Sequence, residues 1–357
     1  MKIFFVHGPE SEGRPEGFIA QLVFTALISK LYDYDNIELV EIDPNDETSK
    51  DPLGASAFYD DDTFMNCFLK SSHRLYQEVQ SGDTVFFMEG LNPTIALLRY
   101  YWFCSGKNVK TVGLYHSNTA TPGDLFFGNP MMVSMEKWLN THGFTKIIVA
   151  TEYLKKNVTY LCRDTTKIAV TGLPIYDQAF TAPSERENTV IFSHRWAEDK
   201  RKDKFLKMGA INAGMGKPIT YKVLSPVQLP SEDIAEMEAN GIDFVHCAAK
   251  YTYWQELRRA KVIFSWAILE TFGYSVMEAI TEGCVPYVVD DTSYKELIQP
   301  EFRFPVDTAE EVVCSQLVRL CSSWQEGHSK SSLTPFACSC VKAHHRIAET
   351  ILEVANG

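Results

Sequence analysis

No window of the chain approaches the run of about 18 apolar residues that a membrane-crossing helix needs, so no membrane span is expected. The opening stretch, MKIFFVHGPE, has too short an apolar core for a signal peptide and no small-residue cleavage site, which points to the cytoplasm (the host's, for a viral chain). Nine cysteines form no CxxC pair. Cys338 and Cys340, near His344 and His345, lack the second cysteine pair of a structural zinc site, so the thiols read as reduced and packed. Positive charge is also short, at 34 basic against 46 acidic residues and a net charge of −12, which disfavours bulk attraction to polyanions unless a local patch overrides it. A basic amphipathic helix of the kind that works at a lipid surface is missing too.

What is present is the composition of an ordinary globular protein, 45% apolar and 22% charged, over 357 residues, more than one core usually fills. Short apolar runs alternate with helical periodicity. Strands are predicted at Lys2–Val6, Ile37–Ile42, Thr84–Met88, Thr111–Tyr115, Lys146–Ala150 and Lys167–Thr171, with helices at Phe18–Lys30, Thr63–Val79 and Thr94–Ser105. The polar segment TAPSEREN, Thr181–Asn188, marks a boundary. A second series follows: strands at Thr189–Ser193, Ile219–Leu224, Ile242–Val245, Val262–Ser265 and Val285–Val289, and helices near Ser231–Ala239, Tyr253–Ala260 and Thr308–Ser323, then a final one from Pro335 to Val354. The expected fold class is therefore α/β, two doubly wound Rossmann-like domains facing a cleft, with ligands at the carboxyl ends of parallel strands. The predicted domains are residues 1–182 and 183–334, followed by a closing helix in 335–357.

Two stretches carry chemistry. In Val262–Glu278, VIFSWAILETFGYSVME, a strand runs through a loop into a helix opening near Gly273. Gly273 and Ser275 fall where unpaired N–H groups and the positive helix end hold an anion. Glu278, about one and a half turns further on, can reach a ribose diol, and Glu270 can meet whatever the phosphate carries. In Ser193–Lys207, SHRWAEDKRKDKFLK, six basic residues gather. Arg195 leaves the strand as a planar fork and Lys200 opens the next helix as a point charge, both on the ligand side; Arg201, Lys204 and Lys207 read as a solvated helix face.

Arg195 and Lys200 (R-x4-K), followed by Glu270 and Glu278 (E-x7-E), resemble the GT-B glycosyltransferases of the GT4-like group. The resemblance implies the GT-B fold, with the closing helix returning to domain one. It implies that Arg195 and Lys200 hold the donor diphosphate, that Glu270 contacts the donor sugar, that Phe272, Gly273, Tyr274 and Ser275 form the phosphate loop, and that Glu278 binds the ribose. The segment HRWAEDK is also similar to that of transferases placing mannose on queuosine in tRNA. In domain one, His116 sits where the family has a histidine near the donor sugar and the reaction centre, so His116, Glu270, Arg195 and Lys200 are the expected catalytic set. His7, Gly8 and Glu10 occupy the place of the family's glycine-rich first loop, on the acceptor side, although its adjacent glycine pair is missing here.

The implied activity is retaining, metal-independent transfer of a sugar from a nucleotide-sugar donor, UDP- or GDP-sugar, to an acceptor hydroxyl, with no cofactor. Asp60-Asp61-Asp62 reads as a helix cap rather than a metal site. The acceptor is a small molecule or glycan by default. A modified base in phage DNA or tRNA stays open, with Lys107, Lys110, Lys155, Lys156 and the aromatic run Tyr100-Tyr101-Trp102 as a local patch; the aromatic run reads first as helix core. A sugar-nucleotide epimerase or a non-catalytic sugar-nucleotide binder is the rival of another class.

Overall fold

The computed structural model describes residues 1–8, 16–32, 34, 36–43, 62–123, 127–175, 185–325 and 327–357. Two compact units result. The first comprises Met1–Pro174 with Cys340–Gly357, and the second Ile175–Ser339.

The first unit alternates β1 (Lys2–Val6), α1 (Glu16–Leu31), β2 (Glu38–Ile42), α2 (Asp62–Glu78), β3 (Thr84–Phe87), α3 (Thr94–Cys104), β4 (Lys110–Tyr115), α4 (Pro130–Trp138), β5 (Lys146–Val149), α5 (Glu152–Thr159) and β6 (Ile168–Val170). The six strands are all parallel, in the order β2-β1-β3-β4-β5-β6. Ile3, Phe4, Phe5, Val85, Phe86 and Phe87 are buried to within 1% of full, as strands covered on both faces require. The strand order reverses between β1 and β3. His7, Gly8 and the Met88–Gly90 turn follow those two strands at their carboxyl ends.

The second unit contains β7 (Glu187–Phe192), α6 (Lys202–Gly214), β8 (Thr220–Ser225), α7 (Ser231–Ala239), β9 (Ile242–His246), α8 (Lys250–Arg259), β10 (Ala260–Ser265), α9 (Tyr274–Thr281), β11 (Val285–Val289), α10 (Tyr294–Leu297), β12 (Arg303–Phe304), α11 (Glu310–Ser322), α12 (His328–Ser331) and α13 (Pro335–Ser339). Its parallel sheet runs β12-β11-β10-β7-β8-β9 and reverses between β7 and β10. Phe192, Phe205, Phe264, Phe304 and Trp266 interlock over these strands, Phe264 and Phe304 stacked at 5.8 Å between centroids. That aromatic core fixes the strand ends from which the site loops start.

Several elements differ from the sequence expectation. The helix expected over Pro335–Val354 is broken into α13, a tight turn at Cys340–Lys342, and α14 (Ala343–Asn356). The residues of α14 at 343, 347, 351 and 355 are buried along one face, which packs on α1 of the first unit; Lys30 and Glu349 pair beside it at 2.7 Å. Helices α4 and α5 and the two-residue β12 have no counterpart in the sequence reading. Both helices carry local start signals: Asn129 accepts from the N–H groups of Met131 and Met132 ahead of Pro130, and the Thr151 hydroxyl caps Leu154 at 3.2 Å. The aromatic run of α3 is only partly core. Trp102 is buried, Tyr101 is half-buried against Tyr76, and Tyr100 is 66% exposed, because one face of α3 turns away from the sheet. Among the described residues, no helix is long and apolar enough to cross a membrane.

Candidate functional site

The reversal between β7 and β10 places their carboxyl ends side by side, the position at which open parallel sheets take ligands. After β7 come Ser193, His194 and Arg195; after β10 comes the loop Trp266–Gly273. A tight turn at Glu198–Lys200, ended by Arg201 in the left-handed conformation (φ 59°), swings Lys200 back towards the β10 loop. The Ile268 N–H donates to the Asp199 carbonyl at 3.0 Å and joins the two segments.

Lys200 is the hub. Its ammonium donates to the Leu269 carbonyl at 2.5 Å and to Glu270 Oε1 at 2.8 Å, and lies 3.3 Å from Asp199 Oδ2. Two of its three protons are thus committed to the β10 loop, and Asp199 adds an opposite charge beside them. Glu270 Oε1 also lies 3.4 Å from His194 Nδ1, and that nitrogen is 3.2 Å from Ser275 Oγ in the first turn of α9. Burial alone would push the Glu270 carboxyl up; Lys200 and then His194 outweigh it and hold its pKa below the ordinary carboxylate range. His194 is driven the other way, down to about 4, chiefly by burial, so its imidazole is neutral at pH 7.

Arg195 is the more open cation. Its side chain is 36% exposed, and its guanidinium reaches Asp199 at only 3.4 Å. Gly273 begins α9 at φ 71°, a left-handed conformation that favours glycine, and a Cβ there would lie 2.6 Å from the Tyr294 ring. The close approach lets α9 start directly over the buried Tyr294, whose hydroxyl donates to Ser265 Oγ at 2.9 Å. Phe272 is buried beneath the loop, its ring 6.1 Å from that of Tyr274.

Glu278 faces a second cation that sequence reasoning missed. Lys250, which opens α8, pairs with it at 2.7 Å and also lies over the rings of Tyr253 and Trp254, at 4.6 and 5.9 Å. Burial raises the Glu278 pKa, and Lys250 only partly offsets this. No local pattern joins residues 250 and 278; only the fold does.

The rest of the basic segment is neutralised internally. Arg201 pairs with Asp203, Lys202 with Glu198 and Asp233, and Lys204 and Lys207 grip Glu310 at 2.5 and 3.1 Å. Those contacts, Lys204 first, pull the Glu310 carboxyl down to about 2. A solvated face therefore describes Arg201, Lys204 and Lys207 incompletely, since the last two bridge α6 to α11.

Four buried polar atoms at this end of the sheet have no partner among the described residues: His194 Nε2, Trp266 Nε1, and Thr292 Oγ1 and Ser293 Oγ after β11. The Ser293 N–H meets the Glu270 carbonyl at 3.4 Å. Buried polar groups are nearly always satisfied, so such a cluster calls for a ligand or ordered water. Thr292 and Ser293 thus join the candidate site, although two hydroxyl residues in an ordinary turn gave the sequence reading no signal.

The sequence-predicted residues divide between the units. Arg195, Lys200, Glu270, Phe272, Gly273, Tyr274, Ser275 and Glu278 lie in the second. His116, His7 and Gly8 lie in the first, at the carboxyl edge of its sheet. There His116 Nε2 is 3.1 Å from the Met88 carbonyl, and His7 Nε2 is 2.8 Å from Glu41 Oε1. Glu10, Asp60 and Asp61 fall outside the described residues. Among the described residues no cluster of three or more His, Cys, Asp or Glu could hold a metal ion, and Cys340 is buried against the backbone of Gly172.

No protein-family model matches the chain. Solved structures do. The lipopolysaccharide outer core galactosyltransferase WaaB aligns over 100% of this chain and 99% of its own, with a TM-score of 0.64 at 13% identity. Anabaena HepE, in complex with UDP and glucose, aligns over 100% and 97%, with a TM-score of 0.62 at 12% identity. The fold is GT-B. S. aureus TarM, in a complex containing UDP, aligns with 82% of this chain at a TM-score of 0.58 and 15% identity, and the chain spans only 59% of TarM's length. At such identities the likeness establishes the GT-B architecture and leaves the chemistry to the residues.

Proposed function

We propose that this GT-B protein is a retaining, metal-independent glycosyltransferase that moves a sugar from a nucleoside-diphosphate donor to an acceptor hydroxyl. The observation that carries the reading is the convergence of Arg195, Lys200, Glu270 and Ser275 at the β7/β10 switch point, beside the unpartnered buried hydroxyls of Thr292 and Ser293. The diphosphate lies at the start of α9, where N–H groups and the helix dipole favour an anion, with Arg195 as the available fork. Glu270, held by Lys200, receives sugar hydroxyls; Lys200 thereby acts by fixing Glu270 and by adding positive charge behind the phosphate. Glu278, with Lys250 and Tyr253 beside it, takes the ribose.

In the reaction the anomeric carbon–oxygen bond breaks and its electron pair stays on the leaving phosphate. The acceptor oxygen attacks the same face, and its proton passes to that phosphate oxygen. Stabilising the departing diphosphate is the main requirement, and electrostatic donors of this kind are each worth about 2–4 kcal/mol. His116 is assigned to the sugar and His7 and Gly8 to the acceptor on the resemblance. HepE, solved with UDP and glucose, makes a UDP-sugar the first donor to try. Incubation with UDP-glucose or GDP-mannose, with no acceptor added, should release free nucleoside diphosphate. Epimerised nucleotide sugar, or intact donor throughout, would favour the epimerase or binder instead. An inverted anomeric centre in the product would overturn retention.

A second reading, transfer to a modified base in nucleic acid, draws on Tyr100 and Phe103, 66% and 83% exposed on α3. It requires binding of tRNA or DNA that weakens steeply with salt; a flat response removes it.

A further inference from the structure

His194 sits at the centre of the site without yet having a role. It leaves β7 at the switch point with its side chain only 2% exposed. Its ring lies edge-on to Phe192, with centroids 5.3 Å apart. Nδ1 is 3.2 Å from Ser275 Oγ and 3.4 Å from Glu270 Oε1, so one atom touches both the carboxylate assigned to the sugar and the first turn assigned to the phosphate. The charged groups around it are Glu270, Lys200, Asp199 and Arg195. The Ser275 hydroxyl can donate or accept, whereas an ionised carboxylate 3.4 Å from Nδ1 repels a lone pair there, which in a neutral imidazole favours the proton on Nδ1 and the lone pair on Nε2, an atom with no partner among the described residues.

We propose that His194 is a positioning residue whose Nδ1–H ties Glu270 to Ser275, so that the β10 loop and the start of α9 meet the donor as one preorganised surface. The inference rests on the transferase reading. It differs from a packing role because the β7 sheet position needs only a buried ring, whereas the proposal needs a donor at the Nδ1 position. It differs from a direct substrate contact because Nε2 is not required.

The amide substitutions separate these roles. In H194N the side-chain N–H occupies the place of Nδ1; in H194Q it reaches the place of Nε2. For donor hydrolysis and transfer, H194N should stay within about threefold of wild type, whereas H194Q and H194A should lose about 100-fold in kcat, the scale of an ångström's misplacement. UDP affinity, carried by Arg195, the α9 backbone and Glu278, should change by less than about threefold in all three variants, and calorimetric UDP binding doubles as the check on folding. In the ligand-free wild type, nitrogen NMR should report the Nδ1–H tautomer. Wild-type turnover in H194Q or H194A, turnover in H194N as slow as in H194A, or an Nε2–H tautomer would overturn the inference alone. A wild type that binds UDP but cleaves no sugar donor would overturn the transferase reading and take this inference with it.

Discussion

Acid should loosen the second unit through His194. The perturbation is a shift from pH 7 to pH 5. The imidazole, near 6.5 in the unfolded chain, is lowered to about 4 in the folded one, mainly because burial strips water from the charged form. The sign follows directly: between those values the unfolded chain binds a proton that the folded chain refuses. Stability is therefore fully present above pH 6.5 and falls as the pH drops. At 1.36 kcal/mol per pH unit the full gap comes to about 3 kcal/mol, of which about 2 kcal/mol is spent between pH 7 and pH 5. Glu270 and other carboxylates also titrate at the acid end, so H194N, which cannot protonate there, is the reference. Amide exchange on β7 and β10 isolates this unit from the first, since it reports local opening energies. The wild type should lose about 2 kcal/mol relative to H194N over that interval. A difference that stays constant with pH, or grows in the opposite direction, would mean that folding does not lower the His194 pKa.

Further outcomes are expected. Arg195→Ala should cut donor hydrolysis by about 100- to 1,000-fold with its melting temperature nearly unchanged, because the side chain is part-exposed and weakly tied; wild-type turnover would remove Arg195 from the site. Lys200→Met leaves Glu270 buried without its ammonium and should destabilise the second unit by about 3–5 kcal/mol, read by denaturant unfolding. Gly273→Ala forces a side chain into the left-handed region and onto the Tyr294 ring; the expected loss is at least 1–2 kcal/mol, about the left-handed penalty alone, with weaker UDP binding by calorimetry.

Strands such as Val262–Ser265 were legible because both faces are covered and Val262, Ile263 and Phe264 form an unbroken apolar run, and the Glu270–Gly273 turn was legible because glycine and two spaced carboxylates are local facts. Long-range pairings were not. Glu310 neutralises Lys204 across 106 positions, and Lys200 finds Glu270 across 70, so the basic segment looked freer in sequence than it is in space. His194 was passed over because its meaning depends on Ser275, 81 residues away and joined to it by no local pattern. The aromatic run of α3 was misjudged in part because three adjacent residues of a helix point in three directions, and only Trp102 faces the sheet.

The return of α14 to the first unit has a consequence for the order of events at the ribosome. The second unit is one continuous segment, Ile175–Ser339, and its last strand is made before the residues that finish the first. The first unit is interrupted: the helix carrying Ala343, Ile347 and Ile351, which packs on α1, emerges some three hundred residues after it. Synthesis from the amino end normally favours the leading domain. Here every residue of the trailing unit is made before the segment that completes the leading one.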